Sequence, residues 1–150
     1  MRKRLLFALF LALGLALAAS GEQVYVQCAG CHQASGAGVA GAFPPLAGEL
    51  PRLAAAGEAG RLFPVKVLLF GLRGPIEAQG KPYNASMPSF GWLSDADIAA
   101  VLNYVFTSWG NDKLLPKGFE PIGVEEVKAL RAKALTAQQV HERWQKLGLR

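Results

Sequence analysis

The chain has 150 residues, of which 51% are hydrophobic and 18% are charged, and its formal net charge is +5. This length allows one domain with an extension and is too short for two ordinary domains. The basic charge does not indicate a nucleic-acid partner, because three of the 16 basic residues lie in the first four positions and no basic stripe with interleaved aromatic residues follows.

The N-terminus has the pattern of a secretory signal peptide. A basic start, MRKR, precedes an apolar run from Leu5 to Ala19 and then Ser20 and Gly21. The run is shorter than the roughly 20 apolar residues that span a bilayer, which favours cleavage over a retained anchor. We therefore expect residues 1–20 to be a signal peptide cleaved near residues 18–20. The mature chain would then be periplasmic, with a net charge of about +2.

Residues 22–31 are predicted to form a short helix whose last turn carries the motif CAGCH. A disulfide between Cys28 and Cys31 would close too small a loop to stabilise the fold. Zinc would need two further ligands, and the only histidines are His32 beside the pair and His141 far along the chain. A redox dithiol needs a strand–helix context, which the Gly-, Ala- and Pro-rich loop that follows does not provide. The C-x-x-C-H spacing instead favours covalent attachment of one haem c, with His32 as an iron ligand.

Residues 33–50 are predicted to be a loop that offers His32 a hydrogen-bond partner. A metal-bound histidine usually donates its other ring N–H to a fixed acceptor. The segment AFPPLAG contains Pro44 and Pro45, whose carbonyl groups are not used by a helix. Either carbonyl could accept from the imidazole, although two prolines can also simply stiffen a loop.

Two helices and a hairpin are predicted next. The first helix covers residues 51–57 and ends at a glycine, and the second covers residues 62–72 with a proline tolerated in its first turn. Residues 76–83 are predicted to form a small hairpin that turns at Gln79-Gly80.

The irregular segment YNASMPSF contains Met87, which is the only methionine left once the signal peptide is removed. A single methionine is ordinarily a core residue. Because the chain also contains a haem motif, and because Pro88 argues against a helix interior, we expect Met87 to be the second iron ligand. His141 is the competing ligand, but its segment has a strongly polar helical pattern that predicts a solvent-exposed face.

The last predicted elements are three helices. Ser94 is expected to cap a helix that runs to Trp109 and carries apolar residues at helical spacing. Two further helices are predicted at 124–135 and 136–147, the second beginning with a capping box. Their apolar stripes require a partner surface, which we expect to be the preceding domain.

These segments in this order resemble the class I cytochromes c. The resemblance depends on CAGCH at 28–32, FPPLAG at 43–48, NASMPSF at 84–90 after the hairpin, and the helix at 94–109. It implies an all-α class I cytochrome c fold around one covalent haem, with a small β-hairpin, over residues 21–110. The implied roles are thioether attachment through Cys28 and Cys31, iron ligation by His32 and Met87, and a hydrogen bond from His32 to the carbonyl of Pro44.

Residues 111–150 resemble the helical C-terminal extension of soluble cytochromes c from extreme thermophiles. In those proteins the extension wraps the haem domain, and the carrier donates electrons to a haem–copper terminal oxidase. Gly123 departs from the pattern, because a better N-cap is usual at that position.

Further haem-pocket residues are expected in the segments that surround the two ligands. They are Phe43, Leu46, Leu68, Leu69, Tyr83, Asn84, Phe90 and Leu93.

The expected function is one-electron transport in a respiratory chain, with no enzymatic activity, because two axial ligands leave no iron site for a substrate. A quinol-oxidising complex is the expected donor and a membrane haem–copper cytochrome c oxidase the expected acceptor. The alternatives are a haem-bearing subunit of a larger periplasmic oxidoreductase and a catalyst or sensor with an open iron. Residues 23–48 and 82–94 contain no Asp, Glu, Lys or Arg, which predicts a mainly apolar docking face.

Overall fold

The computed structural model describes residues 19–149, so the predicted signal peptide lies almost entirely outside the described residues. The elements are eight α-helices, two short strands and one 3₁₀ turn within this range. In chain order they are α1 (Gly21–Tyr25), α2 (Ala29–His32), α3 (Glu49–Ala55), α4 (Glu58–Arg61), α5 (Phe63–Phe70), β1 (Ile76–Ala78), β2 (Lys81–Tyr83), α6 (Asp95–Thr107), the 3₁₀ turn (Asn111–Leu114), α7 (Val124–Arg131) and α8 (Ala137–Lys146).

The single helix predicted over residues 22–31 is divided into α1 and α2. Ser20 caps α1, since its hydroxyl accepts from the amide of Gln23 and the Gln23 side chain accepts from the amide of Ser20. After α1 the backbone changes to tighter bonds between residues three apart, as in the bond from the Cys28 amide to the Tyr25 carbonyl at 2.8 Å. The motif therefore lies on its own short turn, α2.

The helices around residues 49–70 differ from the prediction at their ends. α3 begins two residues earlier than predicted, because Gly48 has a φ of 75° and turns the chain directly into the helix. α4 was not predicted. α5 ends at Phe70, not at Leu72, because Gly71 takes a φ of 78° and terminates the helix.

The predicted hairpin is confirmed. β1 and β2 pair antiparallel with Ile76 opposite Tyr83 and Ala78 opposite Lys81. Gln79 and Gly80 form the turn with φ values of 51° and 72°, the positive angles that a two-residue hairpin connection requires.

α6 is the central helix of the core. The hydroxyl of Ser94 accepts from the amide of Asp97 at 3.0 Å and caps the helix as predicted. α1 packs so closely against α6 that a Cβ on Gly21 would lie 2.2 Å from the carbonyl oxygen of Ala100. The side chains that are fully buried in the core are Val65, Ile98, Val101, Phe106, Val127 and Val140.

The last two helices pack on the core, with α7 against α5 and α6, and α8 against α5. Gly123 is the N-cap residue of α7 although it has no side chain to cap the helix. The carboxylate of Glu126 compensates, because it accepts a hydrogen bond from the Gly123 amide at 2.8 Å. The prediction that His141 lies on a solvent-exposed face is wrong. Its ring is buried, because α8 turns it toward Gly74 and Pro75, where its Nε2 atom contacts the Pro75 carbonyl. None of the helices in residues 19–149 has the length and apolar character that a bilayer crossing requires.

Polar contacts also attach this C-terminal segment to the core. Arg61 pairs with Glu126 and donates to the carbonyl groups of Glu120 and Pro121. Asn103 exchanges two hydrogen bonds with the backbone of Ile122. Arg131 is a third contact, because it pairs with Asp95 and donates to the carbonyl groups of Gly91 and Leu93.

The Arg61–Glu126 pair makes the stability of the fold pH-dependent. The hydrogen bond from Arg61 lowers the pKa of Glu126, so folding favours the ionised carboxylate. This stabilisation is present above the pKa of the unfolded chain, about 4.3, and is lost as the pH falls through the lower folded value. We expect Glu126→Gln to lower the free energy of unfolding by about 1.5 kcal/mol near neutral pH, a value that allows for the partial exposure of the carboxylate.

Denaturant unfolding of the parental protein and the Glu126→Gln variant between pH 7 and pH 3 measures this effect. The difference in free energy of unfolding between the parental protein and the variant should shrink toward zero as the pH approaches 3. Glu125→Gln is the matched control, since the Glu125 side chain is 85% exposed and its carboxylate is 3.9 Å from Lys128. A difference between Glu126→Gln and the parent that did not change with pH would contradict the assignment.

Candidate functional site

Two adjoining cavities lie between the CAGCH turn and the segment around Met87. The larger covers about 800 Å³ of space free of protein atoms and the smaller about 650 Å³, in both cases including solvent at the open mouth. The residues that line both are Cys28, His32, Pro44, Leu72, Ile76 and Met87. The motif and the predicted second ligand therefore face one common space.

His32 is buried and its ring is fixed by one hydrogen bond. Its Nδ1 atom lies 2.9 Å from the carbonyl oxygen of Pro44, which can only accept, so Nδ1 carries the proton. Burial lowers the pKa of His32 and favours the neutral ring. In this tautomer Nε2 has a free lone pair, as a metal ligand requires.

The loop after His32 is tightly folded, and its fold places the Pro44 carbonyl beside the His32 ring. Gly38 packs directly on this segment, since a Cβ at that position would lie 2.4 Å from the carbonyl oxygen of Phe43. The amide of Leu46 donates to the carbonyl of Gly36 at 2.7 Å, and a Cβ on Gly36 would lie 2.4 Å from the Trp109 ring. These contacts require glycine at both positions and explain the glycine-rich composition of the loop.

Asn111 is a fully buried amide that holds the end of this loop. Its Oδ1 accepts from the amide of Gly48 at 2.7 Å, and its Nδ2 donates to the carbonyl groups of Leu46 and Val105 at 3.2 and 2.7 Å. All three partners are backbone groups. Asn111 thus connects α6 to the loop that supplies the His32 partner.

Met87 is held by two backbone hydrogen bonds to Leu72. Its amide donates to the carbonyl of Leu72 at 2.9 Å and its carbonyl accepts from the amide of Leu72 at 3.0 Å. Two further bonds attach the following residues to α5: Ser89 Oγ donates to the carbonyl of Leu69 at 2.6 Å, and the amide of Phe90 donates to the carbonyl of Leu68 at 2.7 Å.

The two cysteines are free thiols in different environments. Cys28 is partly buried, and burial together with the neighbouring Cys31 raises the pKa of Cys28 to about 11. Redox dithiols depend on a lowered thiol pKa, and the shift of Cys28 is in the opposite direction. In the described part of the chain no group of three or more His, Cys, Asp or Glu side chains is placed to hold a metal ion.

Most of the predicted pocket residues line the two cavities. Leu46 and Leu68 line the larger one, and Phe43, Tyr83 and Phe90 line the smaller one.

Three predicted pocket residues line neither cavity. Leu69 follows Leu68 on α5, so the helical rotation of about 100° between neighbours turns it into the core. Leu93 is likewise buried in the core, and Asn84 is exposed after the hairpin. Sequence proximity alone cannot give side-chain direction, so contact of these three residues with a haem stays a prediction.

Several cavity residues were not predicted from the sequence. Tyr25 lines the larger cavity and donates to the carbonyl of Gln33 at 2.7 Å, and burial raises the pKa of Tyr25 to about 12. Glu49 also lines it, with its carboxylate bound by Arg52. Trp144 reaches the cavity from α8. Of these three residues, only Trp144 could have been found from the sequence, through its place in an apolar stripe at helical spacing. That spacing predicts a buried side chain but does not show which surface covers it.

The cavities suit a large, flat and apolar cofactor that contains a metal ion. Their walls are almost wholly aliphatic and aromatic, while one nitrogen donor, one sulfur donor and two thiols face them. A histidine nitrogen together with a methionine sulfur is a haem-iron ligand set typical of electron-transfer sites. The residues present therefore fit a covalently attached haem.

Comparisons with known proteins agree with this geometry. The chain matches the family described as Cytochrome c over residues 18–109. It is 54% identical over 149 residues to a cytochrome c-552 of Thermus thermophilus, covering 99% of both chains, and 54% identical over 132 residues to a second Thermus thermophilus cytochrome c-552, covering 88% of this chain and 99% of that one. It is also 36% identical over 96 residues to the gluconate 2-dehydrogenase cytochrome c subunit of Pantoea cypripedii, covering 61% of this chain and 20% of that one.

Asn111 should be among the most sensitive positions of the site for stability. Replacement by leucine keeps the volume but leaves the amide of Gly48 and the carbonyl groups of Leu46 and Val105 without partners. We expect Asn111→Leu to lower the free energy of unfolding by about 3 kcal/mol. Denaturant titration measures this change in the free energy of unfolding. Asp112→Asn, at an exposed neighbouring position, is the control. Equal stability of the two variants would mean that Asn111 does not hold the loop.

Proposed function

Since the chain belongs to the cytochrome c family, we propose that it is a periplasmic one-electron carrier whose haem iron is bound by His32 and Met87. Members of this family carry covalently attached haem c and transfer electrons without acting as enzymes. The observation that carries the proposal is that His32 and Met87 face the same cavities from separate segments of the chain.

In this proposal each residue of the motif has a distinct role. Cys28 and Cys31 form the two thioether bonds, and His32 supplies Nε2 to the iron. The carbonyl of Pro44 accepts from Nδ1, which fixes the ring orientation and increases the basicity of the ligating nitrogen.

The chain's residues also determine what the bound iron can do. When bound, haem c supplies an iron that alternates between the ferrous and ferric states. The Met87 sulfur would be the second protein ligand of the iron, and the backbone bonds from Met87 to Leu72 would limit the movement of that side chain away from it. An apolar wall and a methionine sulfur both favour the ferrous form, which raises the reduction potential. A rigid, closed site of this kind suits electron transfer and leaves no position for a substrate.

The resemblance to thermophile carriers supports the proposed partners, and the charge distribution bears on how they would dock. We propose a quinol-oxidising complex as donor and a membrane haem–copper cytochrome c oxidase as acceptor, both met after export and removal of residues 1–20. Val26, Val39 and Trp92 are exposed apolar residues that belong to the charge-free segments 23–48 and 82–94. The docking face that these segments form is mainly apolar.

A second candidate function is a haem-bearing subunit of a larger periplasmic oxidoreductase. It is favoured by the similarity to a protein named as a dehydrogenase cytochrome c subunit. That similarity covers only a fifth of the relative, whereas the cytochromes c-552 match over 99% of their length. The full-length similarity supports the free carrier.

The proposed ligation predicts how the iron responds to carbon monoxide. The reduced parental protein should show an unchanged absorption spectrum when carbon monoxide is added, because Met87 occupies the sixth position. Met87→Ala should bind the gas readily, while Asn84→Ala, at a nearby exposed position that lines neither cavity, should behave as the parent. Ready binding by the parental protein would contradict the ligation and favour a sensor or catalyst.

The apolar docking face predicts a weak effect of salt on electron transfer. We expect the second-order rate of oxidation by a purified haem–copper oxidase to change less than about threefold between low and physiological ionic strength, because few charges steer the encounter. Stopped-flow mixing measures it. A steep decline of the rate with salt would show that charged groups control the encounter.

A further inference from the structure

α8 is bonded to the segment that directly precedes β1. Nε2 of His141 lies 2.6 Å from the carbonyl oxygen of Pro75, and the carbonyl of Ala137 lies 3.4 Å from the amide of Arg73. Because a carbonyl can only accept, Nε2 of His141 carries the proton and donates. One helix of the C-terminal segment thus contacts both ends of residues 73–75.

The ring of His141 rests directly on Gly74. A Cβ on Gly74 would lie 2.8 Å from both Cγ and Nδ1 of His141, and φ of Gly74 is 131°. On its other side the ring is nearly parallel to the indole of Trp144, which itself lines the larger cavity. No side chain other than hydrogen would allow this approach at residue 74.

The His141 ring has one buried nitrogen with no partner. Nδ1 is the single buried side-chain polar atom without a hydrogen bond in residues 19–149. An unsatisfied buried acceptor opposes folding, yet the ring is placed so that Nε2 reaches Pro75. The hydrogen bond to Pro75 and the packing on Gly74 are therefore the contacts that hold the ring in place.

Residues 73–75 follow immediately after Leu72, and Leu72 is the residue whose backbone holds Met87 by two hydrogen bonds. Gly71, just before Leu72, ends α5 with a positive φ, and a Cβ there would lie 2.8 Å from the carbonyl oxygen of Met87. A shift of residues 73–75 would therefore act on a chain segment that is bonded to and packed against residue 87. On one side, α8 contacts residues 73–75 through His141.

We propose that α8 keeps the Met87 sulfur at the iron by fixing residues 73–75, and that His141 is the positioning residue through which it does so. This inference rests on the ligation by Met87 proposed above. It assigns the C-terminal segment a role in the site in addition to its contribution to stability.

The test compares full-length, haem-loaded variants by two measurements. Hydrogen exchange reports the opening of the Leu72 and Met87 amides, and the rate of cyanide binding to the ferric protein reports the opening of the sixth iron position. His141→Phe keeps an aromatic ring but leaves the Pro75 carbonyl without its donor. Both rates should rise about tenfold, as expected when local opening loses one buried hydrogen bond. His141→Gln retains an N–H near the position of Nε2 and should restore much of the protection.

Gly74→Ala disturbs the contact between residue 74 and His141 by changing residue 74 instead of the histidine. It should also raise both rates, because the added Cβ displaces the His141 ring. Gly118→Ala is the matched control, since Gly118 also has a positive φ but a Cβ there meets no atom within 4 Å. Val140→Ala is the second control: it removes a fully buried side chain from α8 without touching the Pro75 bond. Both controls should lose stability while the Leu72 and Met87 amides exchange at nearly the parental rate.

Two results would overturn the inference. One is that the Leu72 and Met87 amides of His141→Phe exchange at the parental rate. The other is that Val140→Ala accelerates their exchange as much as His141→Phe does, which would mean that α8 only stabilises the fold in general. Failure of the ligation itself is distinguishable, because the parental protein would then bind cyanide rapidly whereas the amide exchange would still report whether α8 holds residue 87.

Discussion

The hydrogen bond from His32 to the Pro44 carbonyl is the interaction on which the rest of the site depends. It selects one tautomer of a buried imidazole and presents the other nitrogen to the cavity. The bond exists only because the glycine-rich loop returns to the CAGCH turn, and that return is held by the buried amide of Asn111. The extended stretch of irregular chain after the motif is thus an ordered part of the site.

The two halves of the site are held by different means. On the histidine side, the thiols, the histidine and its acceptor lie within 17 consecutive residues, so local chain geometry does most of the positioning. On the methionine side, two backbone hydrogen bonds join Met87 to Leu72, 15 positions earlier, and the segment after Leu72 contacts α8. The methionine bond of the proposed carrier therefore depends on contacts between separate elements of the fold.

The features predicted correctly were those that depend on neighbouring residues. The cap at Ser94, the turn at Gln79-Gly80 and the capping box at Thr136 follow from side chains and backbone angles within four positions. The errors arose where a distant contact decided the outcome. Leu72 was predicted to end a helix, but it follows the turn at Gly71 and pairs with Met87. His141 was predicted to be exposed, but its ring is buried against Gly74, which has no side chain to exclude it.

The amino-acid sequence by itself indicated the cofactor chemistry, because the CAGCH spacing favours covalent haem once the Gly-, Ala- and Pro-rich loop after it and the lack of further zinc ligands nearby are taken into account. It also determined most helices and the charge-free segments beside the predicted ligands. Only the tertiary structure decided which leucines face the cavity, that Asn111 holds the Pro44 loop, and that α8 places Trp144 at the cavity and His141 against Pro75. The physical reason is that side-chain direction and buried polar partners arise from contacts between residues distant in sequence, and those contacts appear only when the chain has folded.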